Sequence, residues 1–123
     1  MMNKKENMRN SNITKVLVTD LDGTICEQID NKNYQSAKPR LDVIKKINSL
    51  WTEGWEIIIF TARGMNTFEG DVKAVEQFHR SYTEKWLKDN RVCYNKLLFG
   101  KPSADLYLDD KNISINDFVK DKL

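Results

Sequence analysis

Residues 13–24, Ile-Thr-Lys-Val-Leu-Val-Thr-Asp-Leu-Asp-Gly-Thr, decide the fold of this chain. The first seven of them are mostly apolar and β-branched, which predicts a strand that stops at Asp20. Asp22 and Gly23 follow at once, and the glycine lets the backbone turn sharply away from the strand. The stretch therefore predicts a strand that brings two carboxylates to one edge of a sheet.

The rest of the chain alternates helix and strand patterns. Pro39 and Gly54 bound a helix with apolar residues every three or four positions, and residues 57–60 form a continuous apolar run typical of a buried strand. Asp71 predicts the cap of a long helix, and Ser114 that of a short last one. Predicted core positions are Leu41, Ile44, Ile47, Leu50 and Trp51 in the first helix and Val72, Val75, Phe78, Tyr82 and Trp86 in the second; further short strands are predicted at 97–99 and 106–108. The alternation predicts an α/β fold, a doubly wound, Rossmann-like parallel sheet with helices on both faces.

Composition limits the classes of protein to consider. A chain of 123 residues suits one domain, predicted over residues 13–123 after a disordered polar tail at 1–12. The 20 basic and 18 acidic side chains nearly balance, so no nucleic-acid or membrane partner is expected. Without a signal peptide or a transmembrane run, the chain is expected to be cytoplasmic. Of two cysteines, Cys26 lies near the motif, where packing is a simpler role than redox chemistry.

Four chemically useful side chains follow predicted strands. Asp20, Thr61 and Asp109 each come directly after a strand, and Lys101 follows the strand at 97–99 after one glycine. Ligand sites in open α/β sheets lie beyond the carboxyl ends of the strands. These residues are therefore expected to meet at one edge of the sheet.

This set matches the needs of phosphoryl transfer through an aspartate. Asp20 can attack phosphorus, and Asp22 can protonate the leaving oxygen and then deprotonate water. The Thr61 hydroxyl and the Lys101 ammonium can hold the non-bridging oxygens. Arg63, just past the second motif, can bind a substrate carboxylate or second phosphate, or form a surface salt bridge.

A divalent metal follows from the charge of the predicted site. Asp20, Asp109 and Asp110 would repel a phosphate dianion unless a hard cation lay among them, and Mg²⁺ suits carboxylates, waters and phosphate. The Asp-x-Asp-Gly-Thr string also occurs in calcium loops, but residues 25–30 lack the carboxylates that an EF-hand would need. The predicted cofactor is therefore Mg²⁺.

In this order the motifs resemble the haloacid dehalogenase (HAD) superfamily of phosphohydrolases, from residue 14 to about residue 111. The resemblance implies a HAD-like fold, the roles given above, and metal binding by Asp109, Asp110, Asp20 and the backbone carbonyl of Asp22. Segments 23–38 and 62–100 leave no room for an inserted cap domain, so the implied protein is capless. Its open site would be covered by a large substrate or by a second subunit of a homo-oligomer.

A narrower resemblance is to the small phosphatases of bacterial capsule and surface-polysaccharide biosynthesis. It depends on Thr61-Ala-Arg-Gly-Met65, on Thr83 with Trp86-Leu87, and on the string that runs from Gly100 to Asp105. It implies a small phosphorylated metabolite, such as a sugar phosphate, as substrate.

Two other functions stay open. An open site also suits a macromolecular substrate, either a nucleic-acid 3′ end or a phosphoprotein, although the balanced charge argues against nucleic acid. A non-catalytic interaction module with the same fold is the second alternative. His79, within the long helix, is expected to be structural, and Lys111 could neutralise a ligand carboxylate.

Overall fold

The structure is a computed structural model that describes residues 14–29 and 33–120, so the predicted tail at 1–12 lies outside the described residues. Within these described residues, three strands and three helices alternate, with one 3₁₀ turn at Tyr34–Ser36. They are β1 (Val16–Thr19), α1 (Leu41–Thr52), β2 (Glu56–Thr61), α2 (Val72–Asp89), β3 (Lys96–Phe99) and α3 (Ile115–Val119).

The strands form one parallel sheet in the order β1-β2-β3. Leu17 pairs with Ile57, and Ile59 pairs with Thr19 on one side and Leu97 on the other. The predicted α/β class and the parallel sheet are thus confirmed. All three strands run the same way, so their carboxyl ends share one edge.

Only one face of the sheet carries the main core. Ile57 and Ile59 in β2 are fully buried, whereas Val16, Val18 and Leu98 on the opposite face are 48%, 57% and 43% exposed. Consecutive parallel strands joined by right-handed crossovers place their helices on the same face. The prediction of helices on both faces is therefore not met by residues 14–29 and 33–120.

The buried stripe of α1 differs from the predicted one at its ends. Val43, Ile44, Ile47 and Leu50 are buried, but Leu41 is 70% and Trp51 43% exposed. Leu41 is the first residue of the helix and Trp51 the last but one. The helical spacing of the buried residues was predicted correctly, but the predicted burial of Leu41 and Trp51 was wrong.

In α2 the core stripe is shifted around the helix. The Asp71 carboxylate accepts from the Ala74 N–H at 3.2 Å, which confirms the predicted cap. Phe78 and Val72 were predicted to be core residues but are 64% and 38% exposed. The buried positions are Val75, His79, Thr83, Trp86 and Leu87. His79 thus takes the place expected for Phe78.

The strand predicted at residues 106–108 is absent from the described residues. Leu106, Tyr107 and Leu108 form no strand and are 88%, 52% and 103% exposed. Three residues offer few ladder hydrogen bonds to offset the entropy of ordering them. The predicted cap of the last helix is confirmed, because Ser114 Oγ accepts from the Asp117 N–H at 3.1 Å.

Asparagine side chains close the amino end of the sheet, opposite the predicted site. Asn95 Oδ1 accepts from the Ile57 N–H at 2.7 Å. Asn48 donates to the Arg91 carbonyl and accepts from the Cys93 N–H, both at 2.8 Å. No helix in the described ranges is long and apolar enough to cross a membrane.

Candidate active site

Asp20 and Lys101 come together at the carboxyl edge of the sheet. Lys101 Nζ lies 3.6 Å from Asp20 Oδ1, and the Lys101 N–H donates to the Thr61 carbonyl at 3.2 Å. That backbone bond ties the loop after β3 to the end of β2. Asp20, Lys101, Thr24 and Asp109 all line one cavity of about 640 Å³. The strand ends therefore gather a carboxylate and an ammonium as the sequence predicts.

Asp22 is held by a buried, two-point pairing with Arg63. Arg63 Nε donates to Asp22 Oδ2 at 3.0 Å and Nη2 to Oδ1 at 2.6 Å. The remaining guanidinium nitrogen, Nη1, donates to Thr83 Oγ1 at 3.0 Å. Burial opposes the charge of Arg63, but the hydrogen bonds and charge of Asp22 outweigh it, so the pKa of Arg63 lies above its usual value.

This buried pairing differs from both predicted contacts of Arg63. Its side chain is only 2% exposed and that of Asp22 13%. Arg63 is thus neither in a surface salt bridge nor turned toward a ligand. It positions the acid/base candidate instead.

Thr61 lies at the same edge but not on the cavity. Its side chain is fully buried, and Oγ1 accepts from the Arg63 N–H at 3.0 Å. The hydroxyl therefore fixes the start of the loop that carries Arg63. Its predicted contact with phosphate is not part of this arrangement.

Cys26 packs beneath Asp22. Its thiol donates to Asp22 Oδ1 at 3.4 Å and to the Leu21 carbonyl at 3.7 Å. Burial, followed by the negative charge of Asp22, raises the pKa of Cys26 to about 12. A buried thiol with so high a pKa is unreactive, which favours the packing role over redox chemistry.

The predicted metal ligands are only partly assembled. Asp109 lines the cavity with Asp20. Its Oδ1 accepts from the Lys111 N–H at 2.9 Å, and this bond is the largest cause that lowers the pKa of Asp109. Asp110 is exposed and does not line the cavity. Among residues 14–29 and 33–120, no three acidic, histidine or cysteine side chains cluster as a metal site. Mg²⁺ is usually held by one or two carboxylates, so Asp20 and Asp109 fit it and the predicted triad is not formed.

An aromatic cluster beside Arg63 was missed by the sequence reasoning. The guanidinium lies 4.2 Å from the centroid of the Tyr34 ring. A second cavity, of about 500 Å³, opens there, and we call it the aromatic pocket. Its lining residues are Tyr34, Gln35, Gly64, Thr67, Phe68, Phe78, His79 and Tyr82. Tyr34 comes from an irregular segment and Gly64 from a loop, so no periodic pattern joins them in sequence.

His79 forms the floor of this pocket. It is 5% exposed and hydrogen-bonds through Nδ1 to the Tyr82 hydroxyl. Burial, and next the charge of Arg63, lower the pKa of His79, which favours a neutral ring. A Cβ at Gly64 would lie 2.7 Å from His79 Cδ2 and Nε2, so only glycine permits this approach. These contacts support the structural role expected for His79.

Solved structures of other proteins share the fold of this chain. No family model matches the chain. A crystal structure of a structural-genomics target from Vibrio cholerae superposes with a TM-score of 0.82 at 35% identity, covering 86% of this chain and 88% of that one. These two proteins share one fold. A chain of the Pnkp1/Rnl/Hen1 RNA repair complex also matches, at 20% identity and TM-score 0.53 over 87% of this chain and 30% of that one, which shows a similar fold alone.

Among curated proteins, the recombination protein RecR of Phytoplasma mali (strain AT) is similar in sequence. It is 34% identical over 95 residues, which are 76% of this chain and 39% of RecR. The chain thus spans about two fifths of the length of that relative. This finding contradicts the resemblance to the haloacid dehalogenase superfamily, and with it the narrower one to the surface-polysaccharide phosphatases. That family assignment was wrong, because the curated match is a recombination protein and no family model supports it.

Proposed function

We propose that this protein hydrolyses phosphomonoesters through an aspartyl-phosphate intermediate on Asp20. The observation that carries the proposal is the contact between Asp20 and Lys101, 3.6 Å apart, in a cavity at the carboxyl edge of a parallel sheet. A carboxylate can attack phosphorus only if the charge of the phosphate is neutralised nearby. Lys101 is the cation of the described cavity lining that can do so.

The reaction divides into two displacements. In the first, Asp20 bonds to phosphorus while the bond to the leaving oxygen breaks, and Asp22 supplies the proton that this oxygen takes. In the second, Asp22 takes a proton from a water that attacks phosphorus and frees Asp20. Arg63 occupies both carboxylate oxygens of Asp22. A second lone pair of Oδ2, which accepts one hydrogen bond from Arg63, is the site at which Asp22 would exchange the proton.

Magnesium belongs to the same proposal. Asp20 and Asp109 would hold it from one cavity, with Asp110 adjoining. When bound, it would supply positive charge to the attacked phosphate. We propose a small phosphorylated metabolite as substrate, and no nucleic-acid or membrane partner; the cytoplasmic location and the homo-oligomer that covers the open site stay predictions. The polysaccharide pathway is no longer supported, because it rested on the resemblance that the comparisons contradict.

The test is phosphate release from a panel of sugar, polyol, acid and nucleotide monophosphates, with Mg²⁺ or with EDTA. The wild type is expected to release phosphate only with the metal, and Asp20→Asn is expected to release none. Asp117→Asn, on α3 beside the cavity but with no role in the reaction, is the matched control. An Asp20→Asn protein with full activity would refute the mechanism.

A second candidate is a phosphatase of nucleic-acid ends. It is favoured by the recombination protein to which the chain is similar, and opposed by a net charge of only +2, since binding to a phosphate backbone normally uses a basic surface. Adding a 3′-phosphorylated oligonucleotide to the panel separates the two. Release from the oligonucleotide alone would decide for the second candidate, and no release from any compound would leave a non-catalytic binding protein.

A further inference from the structure

The aromatic pocket adjoins the acid/base pair through Arg63 and Tyr34. Arg63 binds Asp22 through Nη2 at 2.6 Å, and the same guanidinium stacks on Tyr34, which lines the pocket. Asp22 is two residues from the nucleophile. The contacts of Asp22 with Arg63 and of Arg63 with Tyr34 therefore lead from beside the nucleophile to the pocket.

The walls of the pocket are ring surfaces. The rings of Tyr34 and Tyr82 are nearly parallel, 14° apart in plane and 6.5 Å between centroids. The ring centroid of Phe78 lies 4.9 Å from that of His79 and 5.6 Å from that of Phe68. Phe78 remains 64% exposed in the middle of α2. An exposed aromatic side chain at the rim of a concave site is a typical ligand contact.

The chemistry of the lining limits the occupant. Among the described parts of the chain, no aspartate, glutamate, lysine or arginine lines the pocket, and burial lowers the pKa of its one histidine, His79, so the lining favours an uncharged portion of a ligand. A polyol or sugar would bring several hydroxyls, each of which needs a partner when it leaves water. A planar heteroaromatic ring can instead stack on the aromatic walls and direct its polar edge to Gln35. A volume of about 500 Å³ is ordinary for a small-ligand site.

We propose that the aromatic pocket binds the base of a nucleoside monophosphate whose phosphate lies at Asp20. This rests on the proposed function, and it names the leaving group as a nucleoside. Tyr34 and Tyr82 supply stacking surfaces, Phe78 covers the rim, and Gln35 meets the polar edge of the base. A base at the end of a nucleic-acid strand has the same chemistry, so the source of the base is decided by experiment.

The experiment measures binding to Asp20→Asn protein by calorimetry, so that it does not depend on turnover. The probes are AMP, adenosine and ribose 5-phosphate. AMP is expected to bind at least about 10-fold more tightly than ribose 5-phosphate, because it adds a stacked base. Adenosine alone is expected to bind measurably. Equal affinity for AMP and ribose 5-phosphate, with no binding of adenosine, would overturn the proposal.

Variants locate the base. Adding Phe78→Ala is expected to weaken AMP binding about 10-fold through lost stacking, without changing the affinity for ribose 5-phosphate by more than about twofold. Trp51→Ala, which removes an aromatic ring that is 43% exposed on α1, is the matched control and is expected to leave AMP binding unchanged. Equal loss in both variants would contradict a base in the aromatic pocket.

Two further outcomes separate the proposals. If adenosine binds but the wild type releases phosphate from no monophosphate, base binding in the aromatic pocket is supported and the proposed phosphatase function is refuted. A short 3′-phosphorylated oligonucleotide that competes with AMP for the Asp20→Asn protein would assign the base to a strand end as well. If the oligonucleotide binds and AMP does not, the proposal that the ligand is a nucleoside monophosphate is wrong.

Discussion

The salt bridge between Asp22 and Arg63 predicts an unequal response to removing either partner. The Arg63 side chain is 2% exposed and that of Asp22 13%. Asp22→Asn leaves a buried guanidinium that cannot lose its proton. Removing one partner of a buried pair costs about 3–5 kcal/mol, and we expect this variant to lie in that range.

Arg63→Met is expected to cost less, about 2–3 kcal/mol. The methionine fills a similar volume, and the remaining carboxylate reaches some solvent, so less unpaired charge is stranded. Thr83 loses the donor at 3.0 Å, but its hydroxyl keeps its own bond to the His79 carbonyl at 2.6 Å.

The double variant tests the reasoning. With both charges gone, the expected cost is only about 1–3 kcal/mol, because replacing a whole buried pair is often close to neutral. The coupling energy should therefore be at least about 2 kcal/mol.

Urea unfolding at pH 7, followed by circular dichroism, gives the four free energies of unfolding in this cycle. Unchanged slopes with denaturant would show that the variants unfold from comparable states. Costs that add within about 0.5 kcal/mol would refute the buried pair, as would a larger cost for Arg63→Met than for Asp22→Asn.

Three further predictions concern single sites. Gly64→Ala is expected to lower the free energy of unfolding by at least about 2 kcal/mol, because its Cβ would lie 2.7 Å from ring atoms of His79. The control is Gly70→Ala, which has a similar φ of +81° and no atom within 4 Å, so it is expected to cost only the backbone strain of about 1 kcal/mol. Equal urea midpoints for the two variants would contradict the contact with His79. Lys101→Met is expected to lower kcat for the best monophosphate about 10²- to 10³-fold through loss of charge at the phosphate, and a kcat within twofold of wild type would remove Lys101 from the site. With its pKa raised to about 12 by burial, Cys26 is expected to resist iodoacetamide at pH 8, while the partly exposed Cys93 reacts. Mass spectrometry of peptides from protein labelled in the folded state measures the extent of labelling at each cysteine. Rapid labelling of both would contradict the burial of Cys26.

Local signals in the sequence predicted local structure well. Asp71 and Ser114 cap the helices expected of them, since a cap depends on residues within one turn. The strand at 57–60 needed only its own apolar run. Each of these features is decided by a few neighbouring residues.

Features that depend on distant partners were predicted less well. The strand at 106–108 needs a neighbour to pair with, and its sequence does not provide one. Phe78 and His79 both fit a helical stripe, and tertiary packing buries the second. The partner of Arg63 lies 41 positions away, and nothing near Arg63 in sequence indicates it.

In the candidate site, strand ends were the reliable guide. Asp20 and Lys101 meet because each follows a parallel strand, and that placement follows from topology alone. The orientation of the Thr61 hydroxyl depends on a turn whose geometry the sequence does not specify. Asp110 misses the cavity for a related reason, because the strand expected to carry it is absent from the described residues.

The position of β1 has a consequence for the behaviour of the protein in solution. Within the described residues, β1 pairs on one side only, and Val16 and Val18 are about half exposed beside that edge. An unpaired strand edge with apolar neighbours is a surface on which other molecules can add strands. Lys15, exposed at the start of this edge, opposes such contact by charge repulsion, which salt weakens. Concentrated samples should therefore stay dispersed more readily in dilute buffer than in high salt.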